Sequence, residues 1–213
     1  MLPSEALYTN CRTTVPGAPD QHLMFPAIWN ASVDDTTRIA LASSHDGKVW
    51  HWVPNGDLLR TAAFGQWDGG CIWAYPELLE LSNGDWVLTY RGDNFPHKYP
   101  RGQRTISLGY AVWPKGRLVA LEASEHGAFT MMPIIAPGRT LKINALTLRT
   151  GWIKLEVAGV PGHKMADSVP IVGDHHWTRA TWKDASDLGV AAGQPVTFRF
   201  EMQQAKIFGL EID

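Results

Sequence analysis

Between positions 94 and 101 the chain reads Asn-Phe-Pro-His-Lys-Tyr-Pro-Arg. Two prolines stiffen a loop that carries His97, Lys98, Tyr99 and Arg101, donors suited to hydroxyl groups or a carboxylate, with a tyrosine ring suited to stacking on a sugar. His97 also has the chemistry of a proton relay near neutral pH, and the planar fork of Arg101 matches a carboxylate. Upstream, Trp67-Asp68-Gly69-Gly70 and Trp73-Ala74-Tyr75-Pro76-Glu77 set two carboxyl groups among aromatic rings. Hydrolysis of a glycoside uses such a pair, one protonated to assist the leaving group and one charged as nucleophile or base. Asp68 is the leading carboxylate and Glu77 the next. Plainer roles are open to each: Asp68 as a turn residue accepting backbone amides, Glu77 as a solvent-facing strand residue, and 94–101 as an ordinary surface loop.

Other chemistries find little support. Gly173-Asp174-His175-His176 offers two adjacent histidines, but neighbours on a strand point in different directions and no third ligand has suitable spacing. No metal and no cofactor is expected. There is no glycine-rich phosphate loop, serine nucleophile elbow or Cys–His pairing. Cys11 and Cys71 lie far apart and form no metal or redox motif, which leaves a disulfide between them open. A net charge of −2 over 213 residues gives no basic surface for nucleic acid or anionic lipid. No apolar run approaches the length of a membrane span, and the first residues lack the basic start and apolar run of a signal peptide. These features predict a soluble chain, cytoplasmic by default, with neither nucleic acid nor membrane as partner.

The elements that must position these residues read as strands. Short alternating or apolar runs recur between Gly, Pro, Asn and Asp clusters, and helical periodicity is nearly absent. Strands are predicted near 24–29, 38–43, 49–53, 76–81, 86–91, 106–113 and 118–123, then near 129–132, 140–145, 152–157, 179–182, 195–202 and 205–212. Ser82-Asn83-Gly84-Asp85 supplies the positive-φ residues of a tight hairpin. The polar stretch Ala123-Ser124-Glu125-His126-Gly127 marks a boundary near residue 124. Ten tryptophans outnumber seven phenylalanines and five tyrosines, an excess that suits both inter-strand packing and stacking on sugar rings.

The first series repeats a rhythm, LMFPAIW then WAYPELLEL, each followed by a hairpin, over roughly a hundred residues, which suits two blades of a β-propeller. Ser43-Ser44-His45-Asp46-Gly47-Lys48-Val49-Trp50 resembles the S-x-D-G-x-x-W turns of β-propeller glycosidases and the Asp-box blades of sialidases. In such a turn the Asp accepts backbone amides, the Gly takes the strained angle and the Trp packs between blades, a structural role before any other. The segment from Trp67 to Gly92 is similar to the innermost strand and first hairpin of blades in invertase-like and arabinanase-like glycoside hydrolases. The resemblance implies a central funnel with carboxylates at its entrance and a β-sandwich after the propeller. One departure stands out: Ala74 occupies the place where the invertase-like Trp-Glu-Cys-Pro-Asp motif carries its general acid.

The sequence therefore predicts an all-β protein, a partial propeller of about two blades over 1–123 and a β-sandwich over 124–213. The expected activity is glycoside hydrolysis, with Asp68, Glu77 and His97 as catalytic residues and Arg101, Lys98, Tyr99, Trp67, Trp73 and Tyr75 holding a carbohydrate substrate. The alternatives are a non-catalytic carbohydrate-binding protein, which the Ala74 departure favours, or a truncated propeller stabilised by oligomerisation. Exposed blade edges favour a homo-oligomer.

Overall fold

The computed structural model describes residues 2–99 and 101–213, and it is all-β: every regular element longer than a single 3-10 turn is a strand. The chain divides into two compact units, residues 1–115 and 116–213. The break thus falls before the polar stretch expected to mark it. Residues 123–127 lie inside a strand of the second unit, where Ser124-Glu125 form a bulge rather than a link.

In the first unit β1 (Glu5–Thr9) and β2 (Arg12–Val15) form one broken rank, and β3 (Ala18–Met24) and β4 (Ala27–Asn30) form a second. Cys11, at φ 49°, separates the first two strands. Pro26, which has no N–H to give a ladder, separates the next two. β1 pairs with β4 and β2 with β3, all antiparallel. Both β3 and β4 then lie along one side of β5 (Thr37–Ser44), and β6 (His51–Arg60) lies along the other. The sequence reading missed β1 and β2, whose residues are mostly polar and partly exposed. Their strand state comes from pairing, not from an apolar pattern.

The turn between β5 and β6 is the Ser-Asp-Gly stretch. Ser44 Oγ donates to Asp46 Oδ1 at 2.9 Å, and that same oxygen accepts the amides of Lys48 and Val49 at 2.8 and 2.9 Å. These bonds hold the Asp46 carboxyl down at about 2. Gly47 takes φ 67°. Trp50 lies beside the His22 ring and under the Arg12 guanidinium, so it packs on its own sheet.

A three-stranded antiparallel sheet follows: β7 (Cys71–Glu80), β8 (Trp86–Asp93) and β9 (Ile106–Trp113). The predicted turn closes β7 onto β8, with Gly84 at φ 89°. Thr37 joins the two sheets. It is 2% exposed, its hydroxyl donates to the Ile72 carbonyl at 2.7 Å and it accepts the Ile72 amide at 2.8 Å. Around it Phe25, Ile28, Ile39, Leu41, Ile72 and Leu88 are essentially fully buried, each worth about 2 kcal/mol of burial.

The second unit has a four-stranded sheet in the order β10 (Leu121–Thr130), β15 (Phe198–Ile212), β12 (Leu141–Val157), β13 (Asp174–Arg179), with β11 (Ile134–Ile135) paired to β14 (Pro195–Val196). Residues 140–145 and 152–157, expected as two strands, are one strand. Residues 198–202 and 205–212 likewise run on as one strand through Gln204 at φ 44°, while 195–196, expected in the first of them, form β14. Ile143, Ile153, Leu155, Phe198 and Phe200 fill the core on one face.

Candidate functional site

Three elements of the first unit converge on His97. Its Nε2 lies 3.1 Å from the Tyr8 hydroxyl of β1. The rings of Tyr8, Trp29 and Trp73 stand 5.0, 5.4 and 5.1 Å from the imidazole, all steeply inclined to it. Packing among rings pushes the imidazole below the ordinary histidine value, burial first and the Lys98 charge second. An imidazole kept neutral in this way is a donor and acceptor for hydroxyl groups rather than a cation.

The 94–99 loop is held in place by Asp35, a residue the sequence reading did not select. Its carboxylate accepts the Trp29 indole N–H at 2.8 Å and the Lys98 amide at 2.5 Å, while its carbonyl accepts the His97 amide at 3.0 Å. Asp35 sits at φ 57°, a backbone state that Asp tolerates better than most residues. The adjacent pair Asp34-Asp35 after a tryptophan-bearing strand was the available signal. A second clasp is Arg104, which donates to the His97 carbonyl at 3.3 Å.

Next to His97 lies a cleft of about 390 Å³ whose walls include Tyr8, Trp73, Tyr75, Arg91 and Arg104. Asp93 lies behind it, fully buried and bound through both oxygens by Arg91 at 2.7 and 2.8 Å. The Trp73 indole donates to it at 3.4 Å, and Arg104 stands 3.7 Å away. Arg91 and Asp93 share one face of β8 because they are two residues apart. That Arg-x-Asp spacing on a strand could have been read from sequence, but which face the cleft occupied could not.

The predicted site residues part company in this arrangement. His97, Trp73 and Tyr75 come together at the cleft. Lys98 is near it, its ammonium 5.0 Å from the centre of the Trp29 ring. Tyr99 turns to stack on Phe95 at 4.3 Å, with the planes 9° apart. The side chain of Arg101 lies outside the described residues. Asp68 is not at the cleft: it accepts the Tyr90 hydroxyl at 3.0 Å, and burial together with that bond lifts the phenol to about 12. Trp67 lies tilted on Tyr90. A Cβ at Gly92 or Gly109 would run into its ring. Tyr90, Gly92 and Gly109 share one face of the sheet by register, and Trp73 and Arg91 share the other. Trp67 and Asp68 therefore sit on the wrong side to join His97. Glu77 is exposed in the bulge of residues 75–77, between the paired residues Ala74 and Leu78.

The cleft's chemistry is thus aromatic and hydrogen-bonding. Among the described residues that line it none carries a carboxylate, and Asp93 behind it is bound by arginine. Ala74, at the position of the missing acid, lines the same cleft. Among the described residues no group of three or more His, Cys, Asp or Glu could hold a metal ion. In the second unit Asp174 pairs with Arg117 at 2.6 Å and His175 meets the Val172 carbonyl at 2.8 Å. Cys11 and Cys71 are both free thiols. No helix among the described residues is long and apolar enough to cross a membrane. The chain matches no protein-family model, no curated protein and no solved structure.

Proposed function

We propose that this is a carbohydrate-active protein, a partial β-propeller followed by a β-sandwich, whose cleft beside His97 binds a saccharide. The carrying observation is the wall of Tyr8, Trp73 and Tyr75 around a neutral imidazole, with Arg91 and Arg104 at the rim. Aromatic faces stack on the apolar faces of sugar rings, while imidazole, hydroxyl and guanidinium groups bond their hydroxyls. The two antiparallel meanders of the first unit and the Ser44–Asp46 turn support the propeller part of this reading. The four-stranded sheet of the second unit and the separate β11–β14 pair support the sandwich part.

Binding is preferred to hydrolysis because neither Asp68 nor Glu77 is among the residues lining the cleft and Ala74 replaces the acid. Hydrolysis remains the second reading on one observation: Ala74 and Trp73, the remnant of the acid-bearing motif, still line the cleft. The test is a glycan-array screen followed by calorimetry, with Trp73→Ala alongside and a hydrolysis assay on every glycan that binds. Binding that Trp73→Ala weakens, without turnover, supports the binding reading. Turnover selects the hydrolase. No bound glycan at millimolar concentration overturns both.

A further inference from the structure

Strand β9 ends the three-stranded sheet, and its outer edge has no strand partner among the described residues. The other long edges carry devices that discourage pairing with another chain. β6 contains Pro54, a positive φ at Asn55 and two register shifts. The rank of β1 and β2 is broken at Cys11. β7 is bulged, and Thr37 and Cys11 bond its free side. β10 is bulged and carries two glutamates, and β13 holds Asp174, two histidines and Arg179 in six residues.

β9 has none of these devices. It reads Ile-Ser-Leu-Gly-Tyr-Ala-Val-Trp, without charge or proline, and all eight residues pair with β8 in unbroken register. Ile106, Leu108, Tyr110 and Val112 share one face and are 52, 61, 68 and 53% exposed. A monomer seldom presents so long, regular and apolar an edge to water.

We propose that β9 pairs antiparallel with β9 of a second copy, about a two-fold axis at Gly109. The strand is complementary to itself, and that selects a second copy as its partner. In a two-fold antiparallel pair the register is fixed by the residue on the axis. Centred on Gly109, Ile106 lies opposite the partner's Val112 and Leu108 opposite the partner's Tyr110, so on the exposed face every apolar side chain meets another. A shift of two residues one way sets Val112 against the partner's Arg104. The other shift sets Ile106 against the partner's Pro114. Strand addition contributes main-chain hydrogen bonds, and alternate side chains give it register. This surface does not depend on the saccharide reading.

The test is light scattering on the full chain across about 5–200 µM, the range of a modest specific interface. The wild type is expected at twice 23.6 kDa. Leu108→Lys and Tyr110→Lys are each expected to halve that mass, and Met132→Lys, at an 84% exposed site of the second unit, to leave it unchanged. Unaltered far-ultraviolet circular dichroism separates lost association from lost fold. A wild type that stays monomeric overturns the proposal, as does a dimer that survives both lysine variants or an assembly larger than two copies. Should the variants fail to fold, amide exchange of the wild type decides: exchange in 106–113 slows as concentration rises if β9 is the interface. Exchange that is unchanged while the mass doubles rejects β9.

Discussion

Tyr8 and His97 are 89 residues apart in sequence, yet the phenol oxygen stands 3.1 Å from the imidazole Nε2. The bond ties the first strand of the chain to the loop after β8 and closes one wall of the cleft. Trp29 and Trp73 complete the enclosure from β4 and β7. Each of the four residues reaches the site from a different element, so the site exists only when the first unit is folded.

If the cleft binds saccharide by stacking, Trp73→Ala loses about tenfold in affinity, the scale of one aromatic contact. Asp68→Asn, on the other face of the sheet, changes affinity less than about twofold on the same scale. Titration calorimetry on one glycan with both variants separates the two positions. An equal loss in both would mean that the cleft has been misassigned.

Thr37→Val removes the hydroxyl that serves both backbone groups of Ile72 while keeping the side chain's volume. Two buried main-chain groups then lack partners, at about 2–4 kcal/mol in total. Chemical denaturation of the first unit's transition reads this directly. Thr37→Ser, which keeps the hydroxyl, recovers most of the loss.

Burial and Lys98 hold His97 below its ordinary value of 6.5, so the folded state takes up a proton less readily than the unfolded chain. The associated stability is complete above the unfolded value and falls as pH drops below it toward the lower folded value. Melting temperature is therefore expected to fall more between pH 7.5 and 5 in the wild type than in His97→Gln. Parallel slopes in the two proteins would show that His97 titrates freely.

Asp35→Ala removes the acceptor shared by the Trp29 indole and the Lys98 amide, and it also places alanine at φ 57°. A loss of about 2 kcal/mol is expected from the hydrogen bonds and the strained backbone together. Amide exchange at 97–99 should quicken in the variant. Exchange confined to its wild-type rate would assign the loop's order to Arg104 instead.

Thiol labelling reads the two cysteines. Burial pushes the Cys71 thiol up to about 12 and raises the half-buried Cys11 as well. At pH 8 a disulfide-exchange reagent should label Cys11 slowly and Cys71 only after unfolding. Two rapidly labelled thiols in the folded protein would contradict this burial.

The strand class, the Asp46-Gly47 and Asn83-Gly84 turns, and β9 to the residue were legible in the sequence, because each depends on local backbone preference or on period-two alternation. The 94–101 stretch, selected for its concentration of polar and aromatic side chains, carries His97 to the cleft wall. What the sequence left open were partnerships formed at a distance. Alternation places Trp73 and Asp68 on faces only once the register of β7, β8 and β9 is known, and a bulge at 75–77 changes which residues face where. Local polarity suggested a break at 124, while cross-strand pairing with β15 carried the chain through it as a bulged strand. The types of residue available to a site were determined by the sequence. Tertiary structure decided which of them meet, because burial and strand register are properties of the whole packed unit and not of any window of it.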